Sequence, residues 1–118
     1  MRIKVLRSKI HQARVTETRL DYEGSITIDQ DLMDAAGLIA NEAVLVANQA
    51  NGSRQETYVI AGRRGSGTIC LNGPSARLAE VGDLVIVMGF AYLEPEELAD
   101  HKPRIIVLDS RNAIVRGP

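Results

Sequence analysis

Apolar residues recur at every second position over short stretches of this chain, the spacing of half-buried strands, and seldom at the three-to-four spacing of a long helix. Residues 3–10 are apolar-rich and 13–18 alternate, so both segments predict strands. Residues 25–29 alternate isoleucine with threonine and polar ends, again a strand. Two more are predicted over 43–47 and 55–61, with Asn51-Gly52 between them as a hairpin-turn signature. Residues 68–71, the strongly apolar 84–92 and 104–108 complete the strand set. Helix is confined to short pieces. Asp29 or Asp31 caps one that runs to about Gly37, with Leu32, Met33, Ala35 and Ala36 as its apolar positions. Residues 74–79 form a helical turn with Pro74 near its first position, and 94–99 another opened by Pro95. Residues 111–118 carry little patterning and read as a loose tail.

The order of these elements repeats. Ile26-Thr27-Ile28 runs into a short helix, the turn Asn41-Glu42 and a strand; 68–71 does the same through Gly82-Asp83. Two strand–helix–turn–strand units suggest a pseudo-twofold β barrel, although small β proteins also produce such echoes by chance. The 118 residues amount to one domain, 1–118. A domain of that size buries a core without disulfides or metal.

Composition narrows the function. The 14 Lys and Arg balance 15 Asp and Glu, which gives no electrostatic reason to expect nucleic acid or an acidic membrane as partner. Aromatic residues make up 3% and tryptophan is absent, against a stacking platform for single strands. No apolar run is long enough for a membrane span, and no secretory leader is recognisable. The one cysteine, Cys70, has no partner for an internal disulfide, which favours a reducing, cytoplasmic setting. No metal-ligand spacing joins His11 to His101.

The chemistry centres on Gly24-Ser25, just ahead of the alternating strand. Glycine lets the backbone enter strained conformations and leaves its carbonyl open to approach. The serine hydroxyl can attack that carbonyl and turn the amide into an ester. β-Elimination then expels the ester, and hydrolysis of the dehydroalanine leaves a ketone, a pyruvoyl group, at a new N-terminus. Gly-Ser pairs are commonly plain turns, so the neighbouring segments decide. They are Ser8-Lys9-Ile10-His11 with Val15-Thr16, Tyr22 through Asp29, Asp31 through Ala36, Asn51-Gly52 through Tyr58, Arg64 through Gly67, Asn72-Gly73 and Gly82 through Ile86.

At these spacings the chain resembles the pyruvoyl-dependent aspartate 1-decarboxylases, over about Met1 to Asp109. The resemblance implies a six-stranded double-psi β barrel with short helices. It implies self-cleavage between Gly24 and Ser25 into a short chain, 1–24, and a longer one, 25–118. It implies decarboxylation of L-aspartate to β-alanine and CO2 for pantothenate synthesis, through a Schiff base on the Ser25-derived pyruvoyl group. The chain would make its own electrophile, so neither pyridoxal phosphate nor metal is called for. A homotetramer with sites between subunits, and in some cases a maturation factor, follow from the same resemblance.

Residue by residue, the resemblance gives Thr57 a hydrogen bond at the Gly24 carbonyl oxygen during cleavage, and Tyr58 the proton donated after CO2 leaves. Both are also ordinary strand formers. As neighbours on a regular strand they point to opposite faces, so one site for both needs a twist, a bulge or two subunits. Arg54 offers a planar fork for a carboxylate and Lys9 a point charge, against the commoner fate of solvated surface cations. Lys9 as a Schiff-base lysine is the weaker mechanism, since nothing in the neighbouring sequence marks it as activated. His11 either moves protons or organises the site. Tyr22 shapes the cleavage loop; Asn72, Gly73 and Ser75 line the pocket, although Asn-Gly alone suggests a turn. Arg64-Gly65-Ser66-Gly67 resembles a phosphate-cradling loop only loosely and lacks its Gly-Lys-Ser/Thr ending, which excludes nucleotide binding. Two positions depart from many relatives: Pro74 lacks an N–H for any backbone contact, and Ala47 stands where some carry an aromatic. The rival reading, a non-catalytic β-barrel module, requires no cut at Gly24–Ser25.

Overall fold

The computed structural model describes residues 1–118. Its strands are β1 (Ile3–Arg14), β2 (Glu17–Arg19), β3 (Ser25–Asp29), β4 (Ala43–Asn48), β5 (Arg54–Gly62), β6 (Ile69–Asn72), β7 (Leu84–Leu93), β8 (Arg104–Leu108) and β9 (Ile114–Arg116). Helix α1 (Gln30–Ala36) follows β3, and 3-10 helices occupy Gly73–Leu78 and Pro95–Asp100. The hydrogen-bonded order is β2-β6-β3-β5-β4-β7-β1-β8-β9. Because β2 continues β1, that run lies at both ends of the inner order, and Thr16 N–H donates to Ile69 O at 2.8 Å to close the barrel. Counted as one strand, β1–β2 makes six with β3 to β7, while β8 and β9 lie outside them.

The pairing repeats about a twofold. β3 is antiparallel to β6, and β4 to β7. β5 runs parallel to β3, and β2 parallel to β6; β5 is antiparallel to β4, and β1 to β7. Exchanging β1–β2 with β5, β3 with β6 and β4 with β7 leaves this pattern unchanged. The first strand of each half thus pairs in parallel with the second strand of the other, the interlocking of a double-psi barrel. The sequence echo is its trace. Closure leaves few open strand edges.

Inward positions carry the apolar half of each alternation. Ile10, Ile26, Ile28, Val59, Ile69, Leu71, Val85 and Val87 are fully buried in one cluster of 18 residues. Each such side chain contributes about 1.5–3 kcal/mol on burial.

Two expectations are corrected. The first two strand segments are one strand bent at a bulge: Gln12 sits at φ +61°, and the β1–β7 register slips between Ile10 and Ala13. The extra residue keeps both Ile10 and Ala13 facing the core. The C-terminal tail is also held. Asn112 is buried, accepts from Arg14 N–H at 2.8 Å, and donates to Arg14 O and Gly67 O; β9 then pairs with β8.

Asp29 caps α1 as expected, accepting from Asp31 N–H at 2.8 Å. Its carboxylate also accepts from Gly65 N–H at 3.1 Å and Gly67 N–H at 2.8 Å. Those glycine N–H groups serve an internal carboxylate, which is why the loop looks like an anion cradle. Arg64 meanwhile bridges Asp31 and Asp34 on α1 and holds the Asp34 carboxyl below its usual range.

Asp83 ties β7 to β4. Its carboxylate accepts from Asn48 Nδ2 and Glu80 N–H, both at 2.9 Å, and these bonds, Asn48 first, lower its pKa from 3.8. A carboxyl depressed on folding stabilises above its unfolded pKa and loses that contribution as pH falls through the folded value. Asp83→Asn is therefore expected to lower the urea midpoint at pH 7. The difference from wild type shrinks as pH falls below about 4, and a difference undiminished at pH 2.5 contradicts the assignment.

Candidate active site

Ser25 opens β3 with its side chain on the face opposite Ile26 and Ile28. It is fully buried. Its Oγ accepts from Asn72 Nδ2 at 2.8 Å and donates to Glu23 O at 3.3 Å. The antiparallel register sets Ser25 opposite Asn72 and Thr27 opposite Cys70. Period-two alternation therefore gathers four polar side chains on one face. Asn72 Nδ2 also donates to Thr27 Oγ1 at 3.0 Å, and Cys70 Sγ donates to Asn72 Oδ1 at 3.2 Å. Burial, and then the nearby Glu17 carboxylate, push the Cys70 thiol above its ordinary pKa, so it stays protonated and able to donate.

Asn72-Gly73 is not a hairpin turn. Asn72 ends β6 and Gly73 begins a 3-10 helix with φ +62°. A Cβ on Gly73 would stand 2.6 Å from Tyr22 O, 2.8 Å from Gly24 N and 2.9 Å from Gly24 Cα. The segment ahead of Ser25 is thus laid directly on the Gly73 backbone. Pro74 Cδ lies 3.5 Å from where a Cβ on Gly24 would be. The proline, which lacks an N–H, therefore approaches Gly24 with its ring.

β5 borders the same region. Ile26 pairs with Val59, which sets Tyr58 level with Ser25 one residue earlier on each strand. Thr57 and Tyr58 are both half-buried, and no hydrogen bond joins Thr57 to Gly24. Gln55 Nε2 donates to Ser75 O at 3.4 Å, joining β5 to the buried Ser75 beside the Gly73 cradle. Arg54 is exposed at the start of β5, opposite Ala47, with no ion-pair partner. Tyr22 is 48% exposed on the rim of a cleft of about 270 Å³ that also takes in Arg19, Thr27, Arg63, Cys70 and Asn72.

One chain therefore brings together Gly24, Ser25, Tyr22, Asn72, Gly73 and Ser75, with Tyr58 and Thr57 alongside. Lys9 and His11 are not among them. They lie on β1, Lys9 beside Met88 and Ile105 and His11 beside Val107, and this strand pairs with β7 and β8, not with β3. Burial first, then Lys9 and Arg116, lower the His11 pKa below 6.5, so the ring is neutral at neutral pH; its Nδ1 is buried without a partner. Thr27 and Cys70 are the site neighbours that the reading of motifs passed over. Their even spacing from Ser25 and Asn72 was the available signal. No group of three His, Cys, Asp or Glu side chains gathers that could hold a metal ion, and no helix is long and apolar enough to cross a membrane.

The aspartate decarboxylase family model matches residues 1–115. The aspartate 1-decarboxylase of Caldicellulosiruptor bescii is 60% identical over 116 residues, covering 98% of this chain and 91% of that protein. That of Bacillus licheniformis is 54% identical and covers 93% and 87%. That of Staphylococcus aureus (strain Newman) is 53% identical and covers 94% and 87%. Among solved structures, the crystal structure of the computationally designed msDPBB_sym2 protein aligns at 20% identity with a TM-score of 0.47, over 74% of this chain and 99% of that one.

Proposed function

The chain belongs to the aspartate decarboxylase family and is a carboxy-lyase; from that premise we propose that it converts L-aspartate to β-alanine and CO2 with a pyruvoyl group made from Ser25. The observation that carries this reading is the state of the Gly24–Ser25 peptide. Ser25 Oγ is buried with an amide donor 2.8 Å away, and the backbone before it rests on Gly73. A held hydroxyl that follows a backbone segment laid on Gly73 fits a group formed from that serine. When formed, the group supplies an electrophilic carbonyl that takes up the electron pair released as CO2 leaves.

The chain's own residues bind and orient. Arg54, unpaired in the chain, holds a substrate carboxylate through its fork, and Lys9 adds a point charge. Together they stand the breaking bond perpendicular to the conjugated plane, which selects the α-carboxylate. Thr57 assists the cut at the Gly24 carbonyl, and Tyr58 returns a proton to Cα. Neutral His11 orders the substrate by hydrogen bonding. The placement of Lys9 and His11 on a strand that does not pair with β3 supports sites built between subunits of a homotetramer. So do the exposed apolar side chains Ile39, Val81 and Tyr92. The setting is the cytoplasm, the product feeds pantothenate synthesis, and a maturation factor sets the pace of cutting where one is present.

The test is to incubate purified protein, record its intact mass, and assay β-alanine from L-aspartate. Two fragments split after Gly24, with turnover, are expected. Turnover by an uncut chain overturns the pyruvoyl reading; a cut chain inert toward aspartate overturns the substrate.

Shared sites make a further prediction. Lys9→Ala and Ser25→Ala chains are each inactive alone. When they are co-expressed, random mixing restores about a quarter of wild-type activity, because one site then draws its serine and its lysine from different chains. No recovery in verified mixed tetramers places both residues in the same chain's site.

A further inference from the structure

The Asn72 amide has two donors and one acceptor, and the structure uses all three. Its Nδ2 protons go to Ser25 Oγ and Thr27 Oγ1, at 2.8 and 3.0 Å, while its Oδ1 receives the Cys70 thiol at 3.2 Å. An asparagine amide rotated by half a turn exchanges these roles, and its neighbours decide which way round it sits. The other way round, Oδ1 would face Ser25 and demand the hydroxyl proton. The Ser25 hydroxyl would then be a donor to Asn72 rather than an acceptor from it.

We propose that Thr27 and Cys70 are positioning residues that lock the Asn72 amide with its N–H toward Ser25 Oγ, and that this orientation drives self-cleavage. The inference rests on the self-cleavage reading above and assigns parts within it. In the first step the Oγ–C bond to Gly24 forms, the C–N bond to Ser25 breaks, and the hydroxyl proton ends on the Ser25 nitrogen. In the second a base removes the Ser25 Cα proton, the Cβ–Oγ bond breaks, and Oγ departs as part of the Gly24 carboxylate. Water then hydrolyses the dehydroalanine and ammonia leaves. An N–H aimed at Oγ eases loss of its proton in the first step and stabilises charge growing on it in the second. Thr27 helps by accepting the second N–H. Cys70 helps by donating to the oxygen, which penalises the flipped amide because two donors would then meet.

The two residues lie on adjacent strands, β3 and β6, and reach Asn72 from opposite ends of its amide. Both are set by the register that puts Ser25 opposite Asn72. No side-chain hydrogen bond joins either of them to Gly24 or Ser25; both go to Asn72.

The test follows the uncut-to-cut conversion by intact mass in the full-length chain, for Cys70→Ala, Cys70→Ser, Thr27→Val and Thr27→Ser, with wild type and Ser25→Ala alongside. Cys70→Ala and Thr27→Val are expected to cut about tenfold more slowly, the loss of one orienting hydrogen bond at the barrier. Both serine variants, which keep the hydroxyl or a comparable donor, stay within about twofold of wild type. In an Asn72→Ala background, Cys70→Ala has no further effect, whereas a packing role would slow cutting there too. Wild-type rates in Cys70→Ala and Thr27→Val, or equal slowing with and without Asn72, overturn the assignment while leaving self-cleavage intact. A wild-type chain that never cuts, or a Ser25→Ala chain that does, overturns the self-cleavage reading and this inference with it. If Cys70→Ala does not fold, the Thr27 pair gives the decision by itself.

Discussion

Ser25→Ala leaves the chain as one uncut polypeptide and abolishes aspartate turnover. The removed atom is Oγ, the hydroxyl of the residue that follows the Gly24 carbonyl and the atom that Asn72 holds at 2.8 Å. No other side chain in the cluster substitutes for it. Thr27 Oγ1 accepts the other Asn72 proton and stands two residues beyond the bond, and the Cys70 thiol is held protonated by burial. The fold survives, because the change removes a single oxygen from a buried β-strand position and leaves the apolar cluster untouched. The cost is one unpaired amide donor, about 1–3 kcal/mol. Thermal melting checks survival, and intact mass checks the cut. A cut or active Ser25→Ala protein contradicts the mechanism outright.

The second large effect is at Gly73. Gly73→Ala puts a Cβ 2.6–2.9 Å from Tyr22 O and the Gly24 backbone, and it does so at φ +62°. The backbone around Gly24 has to move, and displacement of reacting atoms by about 1 Å costs on the order of a hundredfold in rate. Gly65→Ala is the matching control. Gly65 also has a positive φ, +77°, but its Cβ would meet nothing within 4 Å. Both variants carry the left-handed penalty of about 1–2 kcal/mol; only the first loses self-cleavage. Comparing cutting rates at equal folded fraction separates strain in the backbone from displacement of the Gly24 carbonyl. Equal cutting in both variants means that the cradle does not position the bond.

Local chemistry in the sequence carries much of this picture. Ile26, Thr27 and Ile28 alternate, and Asp29 with Gly37 brackets α1, because strand periodicity and caps are local. The barrel closure rests on Thr16 meeting Ile69, and the ordered tail rests on Asn112 reaching Arg14 and Gly67. Those are contacts between distant positions, and no run of residues around 112 announces them. Gln12 illustrates the same limit. A single residue at φ +61° merges two expected strands into one bent strand, and glutamine carries no preference for that conformation. At the site, Gly24, Ser25 and the β5 pair Thr57-Tyr58 stand out by resemblance. Asn72-Gly73 looks like a turn in isolation and becomes a cradle only once Tyr22 and Gly24 are laid upon it. Thr27 and Cys70 were readable in principle by counting twos from Ser25 and Asn72. Lys9 and His11 are legible as motif residues, yet β1 does not pair with β3, and no sequence pattern says which chain's site they serve.

The most direct measurement is the mass of the longer fragment from matured protein, before and after reduction with borohydride. The account predicts a fragment starting at position 25 that lacks the serine amine, carries a ketone in its place, and gains two hydrogens on reduction. A fully active preparation whose fragment retains an ordinary serine N-terminus, and whose mass borohydride leaves unchanged, contradicts it.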